Sequence, residues 1–309
     1  MNLSAKNLVK VATETGFIRN TVEKAMRLVD ILELIAESPW NDKLVLKGAT
    51  AINLFYFDMP RLSVDIDLDY AVAAKDEMQK DRELIKDFLT RALAAKGYFL
   101  NTAVRTHYAL GSFVFTFANS VGNKDTIKVD INYLDRIHIL KTQTPVINNS
   151  VIKGAMPIQV LDKHELFGSK LAALVDRCTP RDLYDTYGLI NFDLNIDAKL
   201  LRKCAVFYNC VGGNADLDRK NYSLLDSINK TMIIRTLKPV LANTDRFDYV
   251  QAVSEVKNYL NVLFTLDDGE IEFIKSFQHR QYKPELLFGS VDIINRIKEH
   301  PMALWKCRQ

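Results

Sequence analysis

The sequence predicts an α+β protein in which a small mixed β-sheet is followed by a mostly helical region. Two segments, 64–72 and 126–134, alternate apolar and polar residues in the manner of β-strands. From Asp162 onward such alternation fades and apolar residues recur at helical spacing instead. We therefore expect two domains, at residues 1–155 and 156–309.

Each element follows from local periodicity and from turn residues. Ahead of the first alternating strand, Thr21–Glu37 predicts a helix, Lys43–Lys47 a strand and Ala51–Phe57 a helix entered through a small-residue turn. The hexapeptide Ser-Val-Gly-Asn-Lys-Asp is typical of a hairpin connection between two later strands. Further predicted elements are a helix at 74–96, strands at 98–107 and 112–119, and helices at 163–177, 181–190, 198–211, 224–237 and 250–263.

Composition places the chain among ordinary globular proteins, with 309 residues of which 48% are hydrophobic and 26% charged. The N-terminus lacks the apolar core of a secretory signal, and no run of 18 apolar residues could span a bilayer. The four cysteines lack paired spacing, so neither disulfides nor zinc are expected. These features predict a cytoplasmic protein without a membrane partner, and the net charge of +3 leaves its partner open.

Carboxylates occupy one face of the first alternating strand, where Asp65, Asp67 and Asp69 alternate with apolar residues. Unpaired acids on a packed strand would cost several kcal/mol each, which predicts a positive charge nearby. A second strand places Asp130 and Lys128 on one parity. If the two strands are neighbours, Asp65, Asp67 and Asp130 form a catalytic two-metal site for Mg²⁺, with Mn²⁺ as an alternative. An acidic edge strand facing solvent is the other interpretation.

Such a site performs nucleotidyl transfer, because two metal ions activate a hydroxyl and stabilise a departing pyrophosphate. The turn Lys47-Gly48-Ala49-Thr50 opens a helix and offers backbone N–H groups and a hydroxyl to a nucleoside triphosphate (NTP). Gly48 is equally compatible with a simple tight turn. Lys128 fits either a phosphate contact or an ordinary solvated strand position.

A second group of charged residues lies in the helical region. Lys170 falls on one predicted helix, while Arg181, Asp182 and Asp185 open another directly after Pro180. Acidic residues in a first turn complement the helix dipole, so an ordinary helix start is the alternative to a functional site.

Three blocks together resemble the AbiEii/MenT nucleotidyltransferase family of type IV toxins. They are Lys47–Ala51, the block Arg61-x-Ser63-x-Asp65-Ile-Asp67-Leu-Asp69, and Lys170 with Arg181–Asp185. The resemblance spans residues 20–190 and implies a minimal polymerase-β-like nucleotidyltransferase domain with a helical domain behind it. The turn reads Gly-Ala-Thr where the family often has Gly-Gly-Thr.

The resemblance also implies residue roles. Asp65 and Asp67 match the metal-binding pair, while Lys170 and Asp182 or Asp185 match a distal catalytic lysine and aspartate. Gly48 and Thr50 match the family's Gly-Ser/Thr element. The expected nucleotide-binding residues are these two with Lys47, Ser63 and Lys128.

Relatives of this kind transfer nucleotides to the 3′ end of tRNA as growth-inhibiting toxins and have a cognate antitoxin encoded nearby. RNA would need a basic lining, which Arg181, Arg202, Lys203 and the stretch 275–283 with its interleaved aromatics could supply. The alternative for that stretch is a solvated helix face. The competing functions are transfer to a protein side chain or to a small molecule such as an aminoglycoside, and nucleotide binding without catalysis.

Overall fold

The computed structural model describes residues 2–102, 107–212, 217 and 222–308, and its α+β fold confirms the predicted class. The chain forms two compact units. The first comprises Met1–Arg136, Thr142–Leu161 and Val240–Thr244, and the second comprises Ile137–Lys141, Asp162–Pro239 and Asp245–Gln309. The functional boundary near residue 155 stays a prediction.

The first unit contains four helices and a mixed sheet among its described residues. The helices are α1 (Ala5–Thr15), α2 (Arg19–Ala36), α3 (Gly48–Phe55) and α4 (Lys75–Ala94). The strands are β1 (Leu44–Lys47), β2 (Asp65–Tyr70), β3 (Phe99–Leu100), β4 (Leu110–Ala118) and β5 (Lys124–Asn132), with β6 (Val146–Asn148) and β7 (Lys153–Pro157) as a separate hairpin. The main sheet has the order β1-β2-β5-β4-β3, and β2 and β5 run parallel.

The alternating sequence patterns give the sheet two unlike faces. Ile66, Val129, Ile131 and Phe115 are fully buried on one face, as apolar side chains at alternate strand positions should be. The half-exposed face carries the charged residues of β2 and β5. This asymmetry leaves Asp65, Asp67 and Asp130 partly accessible, although Asp69 is buried, while the strands that hold them are anchored in the core.

The predicted strand at 98–107 differs from the structure, where β3 covers only Phe99–Leu100. Residues 103–106 of that prediction lie outside the described residues. The predicted hairpin turn is present, with Gly122 in the left-handed region at φ 84°.

The second unit is mostly helical in its described part. Its helices are α5 (Lys163–Arg177), α6 (Pro180–Asn191), α7 (Ala198–Gly212), α8 (Lys230–Met232), α9 (Tyr249–Leu263), α10 (Asp268–Gln278), α11 (Pro284–Leu287), α12 (Val291–Ile297) and α13 (Pro301–Arg308). In the described part of the chain, no helix has the length and apolarity needed to cross a membrane.

The single helix predicted over 224–237 is wrong. A 3₁₀ turn at Ser223–Ser227 comes first, and after α8 the chain passes through a π-helical turn at Ile233–Leu237 and a 3₁₀ turn at Lys238–Val240. The break falls at Asn229, whose side chain accepts a hydrogen bond from the Met232 N–H at 3.1 Å and so starts a new helix.

Candidate active site

Four polar residues form a row across the main sheet. The strand register pairs Lys47 with Asp67, Asp67 with Asp130, and Asp130 with Ser112. Directly paired residues on adjacent strands share a face, so these four side chains project to the same side. Asp65 occupies the same face, opposite Lys128. The structure thus brings Asp65, Asp67 and Asp130 onto one half-exposed surface.

Asp130 already has partners on this surface. The Ser112 hydroxyl donates to Asp130 Oδ1 at 2.7 Å, and Lys128 Nζ donates to Oδ2 at 2.5 Å. The hydrogen bond from Lys128 to Asp130, together with the charges of Asp65 and Asp67, raises the pKa of Lys128. Lys128 is therefore the cation that balances this acidic face, and no sequence pattern points to Ser112.

Gly48 allows the Asp67 carboxylate to lie against the start of α3. Its φ is 69°, and a Cβ built there would stand 2.6 Å from Asp67 Oδ2. Any L side chain would meet both the strained backbone and this oxygen. Two independent reasons therefore favour glycine at this position: its positive φ and the close approach of the Asp67 carboxylate.

Thr50 fixes the beginning of β2. Its side chain is buried, and its hydroxyl lies 2.5 Å from the Asp65 carbonyl oxygen and 2.7 Å from the Ser63 hydroxyl oxygen. These contacts hold the backbone of Asp65 in place. Ser63 is partly accessible next to them.

Lys47 forms an ion pair with Asp69, whose side chain is only 1% exposed, and its Nζ lies 3.8 Å from Asp135 Oδ2. Although burial opposes it, the charges of Asp69 and Asp135 raise the pKa of Lys47. Asn132 continues this network by donating to Asp135 Oδ2 at 2.7 Å. The buried Asp69 carboxylate is therefore paired with a cation. The Lys47 ammonium is held by Asp69, next to the row of four residues.

The donors on this face fit a hard divalent cation in kind, because they are carboxylates on neighbouring strands. Within the described ranges, however, no three carboxylate, imidazole or thiolate groups converge into a formed metal cage.

The second unit brings Lys170, Asp182 and Asp185 together. Lys170 Nζ lies 2.9 Å from Asp182 Oδ1 and 2.9 Å from Asp185 Oδ2, and all three side chains are buried. Arg177 adds two hydrogen bonds to Asp182, at 2.7 and 3.0 Å. Although burial opposes it, Lys170 and Arg177 hold the pKa of Asp182 well below its ordinary value. Two cations and two anions therefore form a charge-balanced cluster.

Local sequence explains this cluster. Thr179 caps α6, Pro180 begins it, and the Thr179 hydroxyl donates to Asp182 Oδ2 at 2.6 Å. The Thr-x-x-Asp spacing makes the Thr179–Asp182 contact predictable from sequence, whereas the role of Arg177 depends on how α5 packs against α6.

Several residues of the predicted basic lining for RNA are engaged within the fold, and the lining itself stays a prediction. Arg202 pairs with buried Glu270 at 2.9 Å, and Lys203 donates to the Leu287 carbonyl. In the stretch 275–283, the Phe277 and Tyr282 rings pack on each other at 6.2 Å, and the Tyr282 hydroxyl donates to the Ile297 carbonyl. These aromatics pack within the helical region, and Lys275, Arg280 and Lys283 are the exposed Lys and Arg residues of that stretch.

The family described as "Nucleotidyl transferase AbiEii toxin, Type IV TA system" matches residues 30–257. Among solved structures, the MenT4 nucleotidyltransferase toxin of Mycobacterium tuberculosis H37Rv superposes with a TM-score of 0.68 at 14% identity, over 92% of this chain and 97% of that chain. That likeness establishes the fold. A protein from H. pylori described as a nucleotidyltransferase gives a TM-score of 0.49 at 21% identity, over 79% and 93% of the chains. No curated protein matches the sequence.

Proposed function

Because this chain belongs to the AbiEii family of nucleotidyltransferase toxins of type IV toxin–antitoxin systems, we propose that it moves a nucleoside monophosphate from an NTP to the 3′ end of tRNA and thereby inhibits growth. The family implies the triphosphate substrate and an antitoxin, which we expect to be encoded nearby. The observation that carries the proposal is the face shared by Asp65, Asp67 and Asp130 on adjacent strands.

These three carboxylates would hold the metal, two Mg²⁺ ions or Mn²⁺ in their place. When bound, such ions lower the pKa of the attacking hydroxyl and neutralise the leaving pyrophosphate. The chain's own contribution begins with Lys128, which balances Asp130 without metal. Because its ammonium is 44% exposed, Lys128 would also be able to donate to a phosphate oxygen of the nucleotide.

The other nucleotide-binding residues either contact the triphosphate or position residues that do. Ser63 and the backbone at Gly48 face the triphosphate in our proposal, because Ser63 is accessible and α3 begins at Gly48. Lys47 and Thr50 act through their neighbours, since the first is paired with Asp69 and the second is buried on Asp65.

The role of the second unit is part of the proposal. We assign Lys170, Asp182 and Asp185 as the distal catalytic residues, and their burial and their mutual ion pairs support a fixed cluster whose charges must stay paired. We assign nucleotidyl transfer to residues 1–155 and acceptor binding to residues 156–309.

Incubation of the full chain with each α-labelled NTP, Mg²⁺ and total RNA tests the proposal. We expect one NTP to label an RNA of tRNA size at its 3′ end. Asp67→Asn should abolish labelling. Asp125→Asn should retain it, because Asp125 also lies on β5 but pairs with Lys24 at 2.8 Å, away from the row.

Label on a protein or on a small molecule in a lysate, with RNA unlabelled, would overturn the tRNA acceptor while keeping nucleotidyl transfer. Equal labelling by Asp67→Asn and the unmodified chain would overturn the site. Activity that persists in EDTA would overturn the metal.

A further inference from the structure

The helical run that begins at Lys230 presents an exposed basic surface in the second unit. Lys230, Arg235 and Lys238 are all exposed, whereas Leu237 on the inner side is fully buried. The sequence from Ser227 to Thr244 contains no Asp or Glu. Within the described residues, none of the three cations forms an ion pair. We name these three residues the basic turn.

The three exposed cations of the basic turn lie within nine consecutive residues. Lys230 and Lys238 are eight residues apart, and exposed Ile234 lies between them. The run passes from an α-helical turn at Lys230–Met232 through a π-helical turn at Ile233–Leu237 to a 3₁₀ turn at Lys238–Val240, so the line along it carries a positive charge at each end and an exposed apolar side chain between them. Arg235 borders this line. The arrangement is an extended strip of positive charge with little apolar area.

The strip is held in a fixed place. Asn229 caps its first turn, and Arg181 Nε donates to the Thr236 carbonyl at 2.8 Å. Arg181 belongs to the first turn of α6, the helix that carries Asp182 and Asp185. The π-helical turn is therefore attached to the same helix as the proposed reaction residues of this unit.

A polyanion is the partner that this surface fits. A specific protein interface has an apolar centre that is depleted of charge, whereas the exposed apolar residue among these cations is Ile234 alone. Phosphates of a nucleic-acid backbone need only positive charge at regular spacing. We propose that Lys230, Arg235 and Lys238 bind backbone phosphates of the acceptor RNA. This inference rests on the RNA acceptor of the proposed function.

Binding of 5′-labelled unfractionated tRNA to the full chain, measured at several salt concentrations, tests the inference. Charge reversal in K230E/R235E/K238E should lower the slope of log affinity against log salt by about 2 to 3, from 0.7–0.9 per phosphate contact. The charge-matched control K275E/R280E/K283E alters three exposed cations elsewhere in the unit and should change the slope by less than about 1.

The neutral variant K230Q/R235Q/K238Q removes the phosphate contacts without adding acids that repel RNA. It should lower the salt slope as much as K230E/R235E/K238E does, but with a smaller loss of affinity. Circular dichroism of each variant reports the fold.

An unchanged salt slope in the folded K230Q/R235Q/K238Q variant would overturn the inference. Equal losses in the two charge-reversed variants would also overturn it, because they would indicate a diffuse field. Loss of binding to an acidic antitoxin with tRNA affinity retained would assign the strip to a protein instead. If the unmodified chain binds tRNA through this strip but labels no RNA, the proposed acceptor chemistry fails while the binding surface stands.

Discussion

The carboxylates on the sheet face and the buried carboxylates of α6 differ in how their negative charge is balanced. Asp65, Asp67 and Asp130 lie half-exposed on a sheet face with Lys128 as the nearby cation. Asp182 and Asp185 are buried and are matched by Lys170 and Arg177. The first cluster can accept further positive charge from a ligand, whereas the second is already neutral. The difference predicts that the first cluster depends on an added cation, whereas the second depends on its own ion pairs to stay folded.

The largest expected effect is on stability at the buried cluster. Lys170→Met leaves two buried carboxylates short of a cation, so the free energy of unfolding should fall by about 3 to 5 kcal/mol, measured by urea denaturation. Lys199→Met is the control, because Lys199 is 65% exposed and lies 3.8 Å from Asp267; it should change stability by less than about 1 kcal/mol. Equal stability of Lys170→Met and the unmodified chain would remove the contrast.

A smaller effect is expected at Gly48. Gly48→Ala should lower the free energy of unfolding by about 1 to 3 kcal/mol, because alanine is strained at positive φ. It should also slow nucleotidyl transfer by roughly 100-fold, because the added Cβ displaces Asp67. Gly122→Ala is the matched control, since Gly122 has φ 84° and open space around its added Cβ. It should lose stability without losing activity. Normal activity of Gly48→Ala would mean that the position of Asp67 is not critical.

The smallest effect is expected at the open cluster, with the opposite sign. Asp67→Asn removes one charge from mutually repelling acids, so stability in EDTA should hold or rise by up to about 1 kcal/mol. Asp182→Asn, in contrast, should be clearly destabilised, because it breaks contacts with Lys170 and Arg177. Thermal unfolding of both variants compares the clusters directly. A destabilised Asp67→Asn would show that this acid also supports the fold.

Local patterns predicted much of the fold because alternation and helical spacing are properties of short segments. The helix observed at Lys163–Arg177 matches its predicted bounds, and α6 begins at Pro180 where the turn residues place a helix start. The helix over 224–237 failed because Asn229 competes for a backbone N–H that a continuous helix would use. The periodicity of apolar residues gives no information about such a hydrogen bond between a side chain and the backbone.

The alternation of acids with apolar residues on β2 and β5 is a property of the local sequence, and it sets which chemistry the face can support. It left open whether those strands are neighbours, because register depends on pairing between distant segments. Tertiary structure decided that Lys47, Asp67, Asp130 and Ser112 form one row. It also decided that Lys170 is buried between two acids, since burial of an ion is stable only where folding supplies its partners.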